Sequence, residues 1–168
     1  TAHHEPLRAA LFEYLESGKQ GTRKRAVTCL ATLSASMSDA MLSATAAAAV
    51  EKLNAIGEPA VAAAPHNQAV AALYVQLLGA TAKSTGYRFG KHVANAQPLV
   101  AALCRAASDE ASEPLREHCL QALELFASKC PGDATPFLSD IATLALELLS
   151  YDPNFADDED EGEDMDLD

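Results

Sequence analysis

Cysteine and histidine have the widest chemical reach of any side chains in this chain, and neither is spaced to use it. Cys29, Cys104, Cys119 and Cys130 form no CxxC pair and no disulfide framework, which reads as a reducing compartment. His3, His4, His66, His92 and His118 stand at no i, i+4 spacing to one another or to a cysteine, so no metal-ligand set emerges. His118 and Cys119 are adjacent, but neighbours on a helix point about 100° apart and do not face each other. The stretch ESGKQGTRK lacks the first glycine of a phosphate-cradling loop and the Ser or Thr that must follow its lysine. Catalysis, metal binding and a cofactor are therefore not expected.

Charge is the next candidate for chemistry, and its location matters more than its sum. The net charge is −12, yet nine of the 24 acids lie between Asp157 and Asp168 with no base among them. The remaining 15 acids face 12 Lys and Arg, so residues 1–156 are nearly neutral. Such a body fits neither nucleic acid nor an anionic membrane surface. A run of like charge with few apolar residues is expected to be disordered, with Met165 and Leu167 as its only apolar footholds. No charged-then-apolar leader, membrane-length apolar run or N-x-S/T acceptor occurs, so secretion has no support. A first residue of Thr rather than Met suggests an excised piece, expected to be monomeric.

The scaffold that must carry any surface chemistry is legible as a repeat. With 168 residues, 49% hydrophobic content, 5% aromatics and no Trp, the core must be built from Leu, Val, Ile and Ala, which favours packed helices. Three segments align without gaps: TRKRAVTCLATLSASMS (22–38), VAALYVQLLGATAKSTG (70–86) and LREHCLQALELFASKCP (115–131). The register superposes Val27, Val75 and Leu120, then Leu30, Leu78 and Leu123, and predicts all of these and Phe126 as core. Further helices are expected at about 6–16, 39–56, 88–108 and 135–150. Asp39, Ser112 and Thr135 read as N-caps, Pro98, Pro114 and Pro136 as first-turn prolines, and Gly57, Gly86 and Pro131-Gly132 as stops.

A period near 45 residues with two helices per unit is the pattern of HEAT or armadillo arrays. The predicted fold class is all-α, an α-α superhelix (HEAT-repeat solenoid) of about seven helices in antiparallel pairs. The HEAT form is favoured by a turn followed by an Arg-bearing second helix, at Arg23 and Arg116; Ala71 replaces the Arg in the middle copy, interrupting any acid-to-Arg ladder between turns. Leu148 to Asn154 resembles the end of a first helix and a D-P turn, so the array is assigned to 1–151 and the acidic 152–168 to an insertion within a repeat. That placement leaves the apolar stripe Phe137, Leu138, Ile141, Leu144, Leu148, Leu149 covered on one side only.

Second helices of solenoids line the concave side, where partners usually bind. Lys24, Arg25, Thr28, Gln76, Lys83, Glu117, Gln121 and Glu124 fall on the polar side of these helices and form the predicted partner-binding set. For Lys19, Arg23, Lys24 and Arg25 the plainer reading is a turn contact by Arg23 and a solvated helix face.

In order and separation, RKRAVTCLATL, LREHCLQALELFASKCPGDATPFLS and YDPNFADDEDEGEDMDLD resemble the cullin-associated neddylation-dissociated family, long HEAT-repeat exchange factors of cullin-RING ubiquitin ligases. The resemblance covers the whole chain and is looser over 39–56 and 66–85. It implies a segment from the N-terminal third of such a protein, cytoplasmic and nuclear, that grips an unmodified cullin and its RING subunit. In that family the superhelix masks the modification site and promotes substrate-receptor exchange, while the far C-terminal part that dislodges the adaptor lies outside this segment. The alternative is an importin-β-type transport receptor, whose similar acidic loop carries a tryptophan that this sequence lacks. A phosphatase scaffold fits the repeat but not the acidic run.

Overall fold

The computed structural model describes residues 3–17, 19–56, 64–107 and 112–149. Within them the order is α1 (His4–Ser17), α2 (Gln20–Ser34), α3 (Asp39–Ile56), α4 (Pro65–Thr85), α5 (Gly90–Ala106), α6 (Glu113–Lys129), a single turn α7 (Pro131–Ala134) and α8 (Leu138–Leu149). Short 3-10 turns at Gly86–Phe89 and Thr135–Phe137 link α4 to α5 and α7 to α8. No strand occurs among the described residues. None of their helices is long and apolar enough to cross a membrane. Both the acidic run and Gly57 lie outside the described residues.

The helices pair as α1/α2, α3/α4 and α5/α6, with α8 resting against α5 and α6. The second helices α2, α4 and α6 stack side by side, and α3 lies beside α5, giving the two layers of a HEAT solenoid. Helix α4 is the centre, packed against α2, α3 and α6. Its sequence suits that place, because Ala71, Leu73, Tyr74, Val75, Leu77, Leu78 and Ala82 are all buried and leave little polar face. Gly79 lets α6 come close: a Cβ there would lie 3.2 Å from the Ala122 Cα and 3.3 Å from Leu125 Cδ1. Below this contact Phe89 and Phe126 stack with ring centroids 5.5 Å apart.

The predicted core register holds except at one position. Val27, Leu30, Val75, Leu78, Leu123 and Phe126 are buried, as are Ala26, Tyr74 and Cys119 just before the aligned positions. Leu120 is only half-buried. It stands about 200° around α6 from Ala122, the residue that meets α4, and so lies on the side that a following second helix would cover. Val27 and Val75 have that cover from α4 and α6.

Several boundaries differ from the predicted ones for local reasons. Helix α2 stops at Ser34 rather than 38, where Ser34 Oγ donates to Ala31 O at 2.6 Å and Ser36 Oγ to Leu33 O at 2.9 Å, competing with helix continuation. The cap of α3 is Ser38, whose Oγ accepts from Met41 N at 3.3 Å, not Asp39, which is already helical. Ser112 does occupy the N-cap of α6, but its Oγ accepts from Gln68 Nε2 at 2.7 Å and so ties α4 to α6 rather than capping. Thr135 is not a cap either, since its Oγ1 donates back to Pro131 O at 2.8 Å. Pro131-Gly132 opens α7 instead of only ending α6. Pro98 sits inside α5, not in its first turn, and is tolerated there because it is on the solvent side, where water can take up the carbonyl its ring leaves unbonded. Gly86 does end α4, with φ 58, a left-handed conformation that glycine adopts without strain.

The last helix has the lopsided burial expected of it. Leu144 is buried, Phe137, Ile141 and Leu148 pack partly against the core, and Leu138, Leu146 and Leu149 are exposed, the last by 82%. Amides of 138–149 are expected to exchange faster than those of 117–127, and comparable protection in a hydrogen-exchange experiment would contradict this. Urea denaturation should show Leu123→Ala losing about 2–5 kcal/mol. Gly79→Leu should lose about 1–3 kcal/mol by forcing α4 and α6 apart.

Candidate functional site

The second helices owe their alignment to contacts at the ends of the first helices. Arg23 Nη2 donates to Glu16 O at 3.4 Å, and Arg116 Nη1 to Ala107 O at 2.7 Å. The two Args that mark the repeat thus cap carbonyls at the C-terminus of the preceding helix, where the helix dipole favours a cation. Cross-repeat ties are made by other residues: Arg88 bonds Asp39 Oδ1 at 2.9 Å together with the carbonyls of Ala35 and Met37, while Asp140 holds both Gln97 and Arg105.

Glu16 joins four helices in the first two repeats. Tyr74 Oη of α4 donates to its carboxylate, Lys52 Nζ of α3 lies 3.0 Å from it, and Arg23 of α2 binds its carbonyl. The Tyr74 hydrogen bond, then Lys52, lowers the Glu16 pKa, while burial and the same carboxylate raise that of Tyr74.

On the solvent side of α2, α4 and α6 two shallow grooves follow one another. The first, of about 290 Å³, is lined by Gln20, Arg23 and Lys24 of α2, by Gln68, Ala69, Ala72, Leu73 and Gln76 of α4, and by Pro114, Leu115 and His118 of α6. The second, of about 140 Å³, runs on between α4 and α6 past Gln76, Gly79, Lys83, His118 and Gln121. N-terminal residues of all three helices meet in the first groove, so the helices run parallel. Among the residues lining the two grooves are Arg23, Lys24 and Lys83 and no acid.

The predicted set divides on this geometry. Lys24 and Gln76 line the first groove, and Gln76, Lys83 and Gln121 the second. Arg25, Thr28, Glu117 and Glu124 are exposed on the same helices but line neither. Thr28 Oγ1 donates to Lys24 O at 3.2 Å, and Glu117 accepts from Gln121 Nε2 at 2.8 Å. Gln20, Gln68 and His118 were missed as liners. Gln20 and Gln68 precede the aligned segments; Gln68 falls within the expected helix 66–85, and Gln20 comes onto the face because α2 starts before residue 22. Lys24 and Gln76 carried the one usable signal, because they stand four positions apart in the superposed register, one turn along the same helix face.

The remaining reactive side chains are occupied in packing. Cys104, Cys119 and Cys130 are buried, and Cys29 is exposed. The hydrogen bond with Cys104, with burial, pushes the Cys119 thiol far up, so it is no thiolate at neutral pH. Among the described residues no three His, Cys, Asp or Glu gather to hold a metal ion.

No family model matches the chain. Individual relatives are similar over nearly all of it. Cullin-associated NEDD8-dissociated protein 1 of Arabidopsis thaliana is 38% identical over 167 residues, covering 98% of this chain and 13% of the relative. The protein of that name from Dictyostelium discoideum is 30% identical over 92% of the chain, and cullin-associated NEDD8-dissociated protein 2 of Mus musculus is 33% identical over 94%. Each of these two is covered over 12% of its length, so the chain corresponds to a fragment of such proteins.

The Glu16 cluster makes a pH-dependent contribution with a definite sign. Its folded pKa is lowered, so the stability it brings is fully present above the ordinary glutamate value and is lost as pH falls through the lowered one. Below about pH 4.3 the native chain is expected to lose thermal stability more steeply than Glu16→Gln. Parallel curves for the two in thermal melts across the acid range would contradict the role given to Glu16.

Proposed function

We propose, from the homology to cullin-associated NEDD8-dissociated proteins over nearly the whole chain, that this is a non-enzymatic scaffold-binding segment of a cullin-RING ligase exchange factor. In this reading α2, α4 and α6 present their solvent face to an unmodified cullin and its RING subunit. The homology carries the proposal. The layered helices supply a rigid surface suited to it, and the grooves supply cations, amides and an apolar floor. Array 1–151 would do the gripping, with 152–168 as an insertion between the two helices of a repeat. The segment would act as a monomer within a cytoplasmic and nuclear protein. The importin-β-type reading is disfavoured by the absence of tryptophan.

Lys24 and Arg25 separate the gripping surface from a merely solvated face. Changing both to Glu in the longer exchange factor is expected to weaken binding of unmodified cullin-RING complex roughly tenfold, about 1.4 kcal/mol, mainly through a slower association that added salt slows less than it slows the native one. Helical circular dichroism should be unchanged. Equal affinity across a salt series would return both residues to solvent, and capture of a small GTPase instead of cullin would favour the transport-receptor reading.

A further inference from the structure

The first groove and the acidic run are complementary, and the fold brings them to the same edge. Arg23 and Lys24 are the cations of a groove lining that holds no acid, Glu16 lying behind Arg23 and already engaged by Tyr74 and Lys52, and Arg23 Nε is buried with no hydrogen-bond partner among the described residues. The N-terminal ends of α2, α4 and α6 converge there, adding the positive ends of three helix dipoles. Ala72, Leu73 and Leu115 make an apolar floor.

Helix α8 runs parallel to α5, since Asp140 in its first turn bonds Gln97 in mid-helix as well as Arg105, while Glu147, two turns on, reaches Arg105 near the α5 C-terminus. That end of α5 is where Ala107 O accepts from Arg116 at the start of α6. The described chain therefore leaves Leu149 at the edge where α6 begins and the groove opens. Seven residues separate Leu149 from Asp157, and with the twelve that follow they can extend to roughly 60 Å. Reaching the groove requires only two or three helix spacings, roughly 20–30 Å.

We propose that Asp157–Asp168 is an intramolecular occupant of the groove. Its carboxylates meet Arg23, Lys24 and the helix N-termini, and Met165 and Leu167 rest on the apolar floor. Tethering gives the run an effective concentration near millimolar, so even a weak contact is populated. The run then acts as a built-in competitor that an acidic partner must displace. The contact forms within one chain and requires no cullin, so it stands apart from the function proposed above.

Backbone amide spectra of the 168-residue chain test this directly, by comparison with a variant whose nine acids from 157 to 168 are replaced by Asn or Gln. Differences are expected to cluster at 20–24, 68–76 and 115–118 at about 0.01 M salt and to collapse at roughly 0.5 M, where screening is far shorter in range. Lys24→Glu, an exposed position checked for folding by circular dichroism, should abolish them, and Lys24→Arg should keep them. Unperturbed groove amides, differences spread evenly over the helices, or differences that survive Lys24→Glu would each overturn the proposal. Differences that fade on dilution would also overturn it, because the occupant would then be the acidic run of a second copy.

Discussion

Everything in this array depends on α4 being covered on three sides at once. A helix that is apolar around most of its circumference is stable only when neighbours exclude water from all of it. Here α2 and α6 flank it within the second-helix layer, and α3 backs it. The tightest of these contacts is with α6, where Gly79 admits the Ala122 backbone. A side chain at Gly79 would widen the layer and loosen the Leu78 and Leu123 packing beside it.

Polar contacts then set the relation of one repeat to the next. Arg88 fastens the turn between α2 and α3, Glu16 joins the first helix to the third and fourth, and Asp140 draws α8 against α5. Asp133 fills the space over Gly90 at the start of α5, where its Oδ2 lies 2.0 Å from the point a Cβ would occupy. A carboxylate there complements the positive end of that helix. These ties consume most of the charged side chains at the repeat junctions and leave Lys24, Lys83 and Arg25 facing water on the second-helix layer. The uncommitted charge of that layer is therefore mostly basic at its grooves, although the chain as a whole is strongly acidic.

The solvent face of α2, α4 and α6 is a surface of parallel helices. Its value lies in rigidity, since parallel helices held at fixed spacing present amides and cations at fixed intervals to a large partner. The same regularity leaves a cost at the far end, where α8 and Leu120 keep apolar surface exposed on the side a following helix would take.

The sequence by itself determined the repeat, its period and nearly all of its core. Aligned Val and Leu positions recur because each second helix buries the same stripe, and a stripe is a local, periodic property. Sequence also separated the neutral body from the acidic run and carried the family resemblance. Tertiary structure decided what depends on a neighbour. Leu120 has the residue type of its register partners, yet its burial depends on a helix that does not pack against it. Arg23 and Arg116 look like partners for acids, and the fold also sets them on carbonyls, because the ends of the helices before them lie within reach. The same holds for the grooves: Gln20, Gln68 and His118 are ordinary polar residues along the chain. They become one lining only because α2, α4 and α6 run parallel at close spacing, a relation that no single helix encodes.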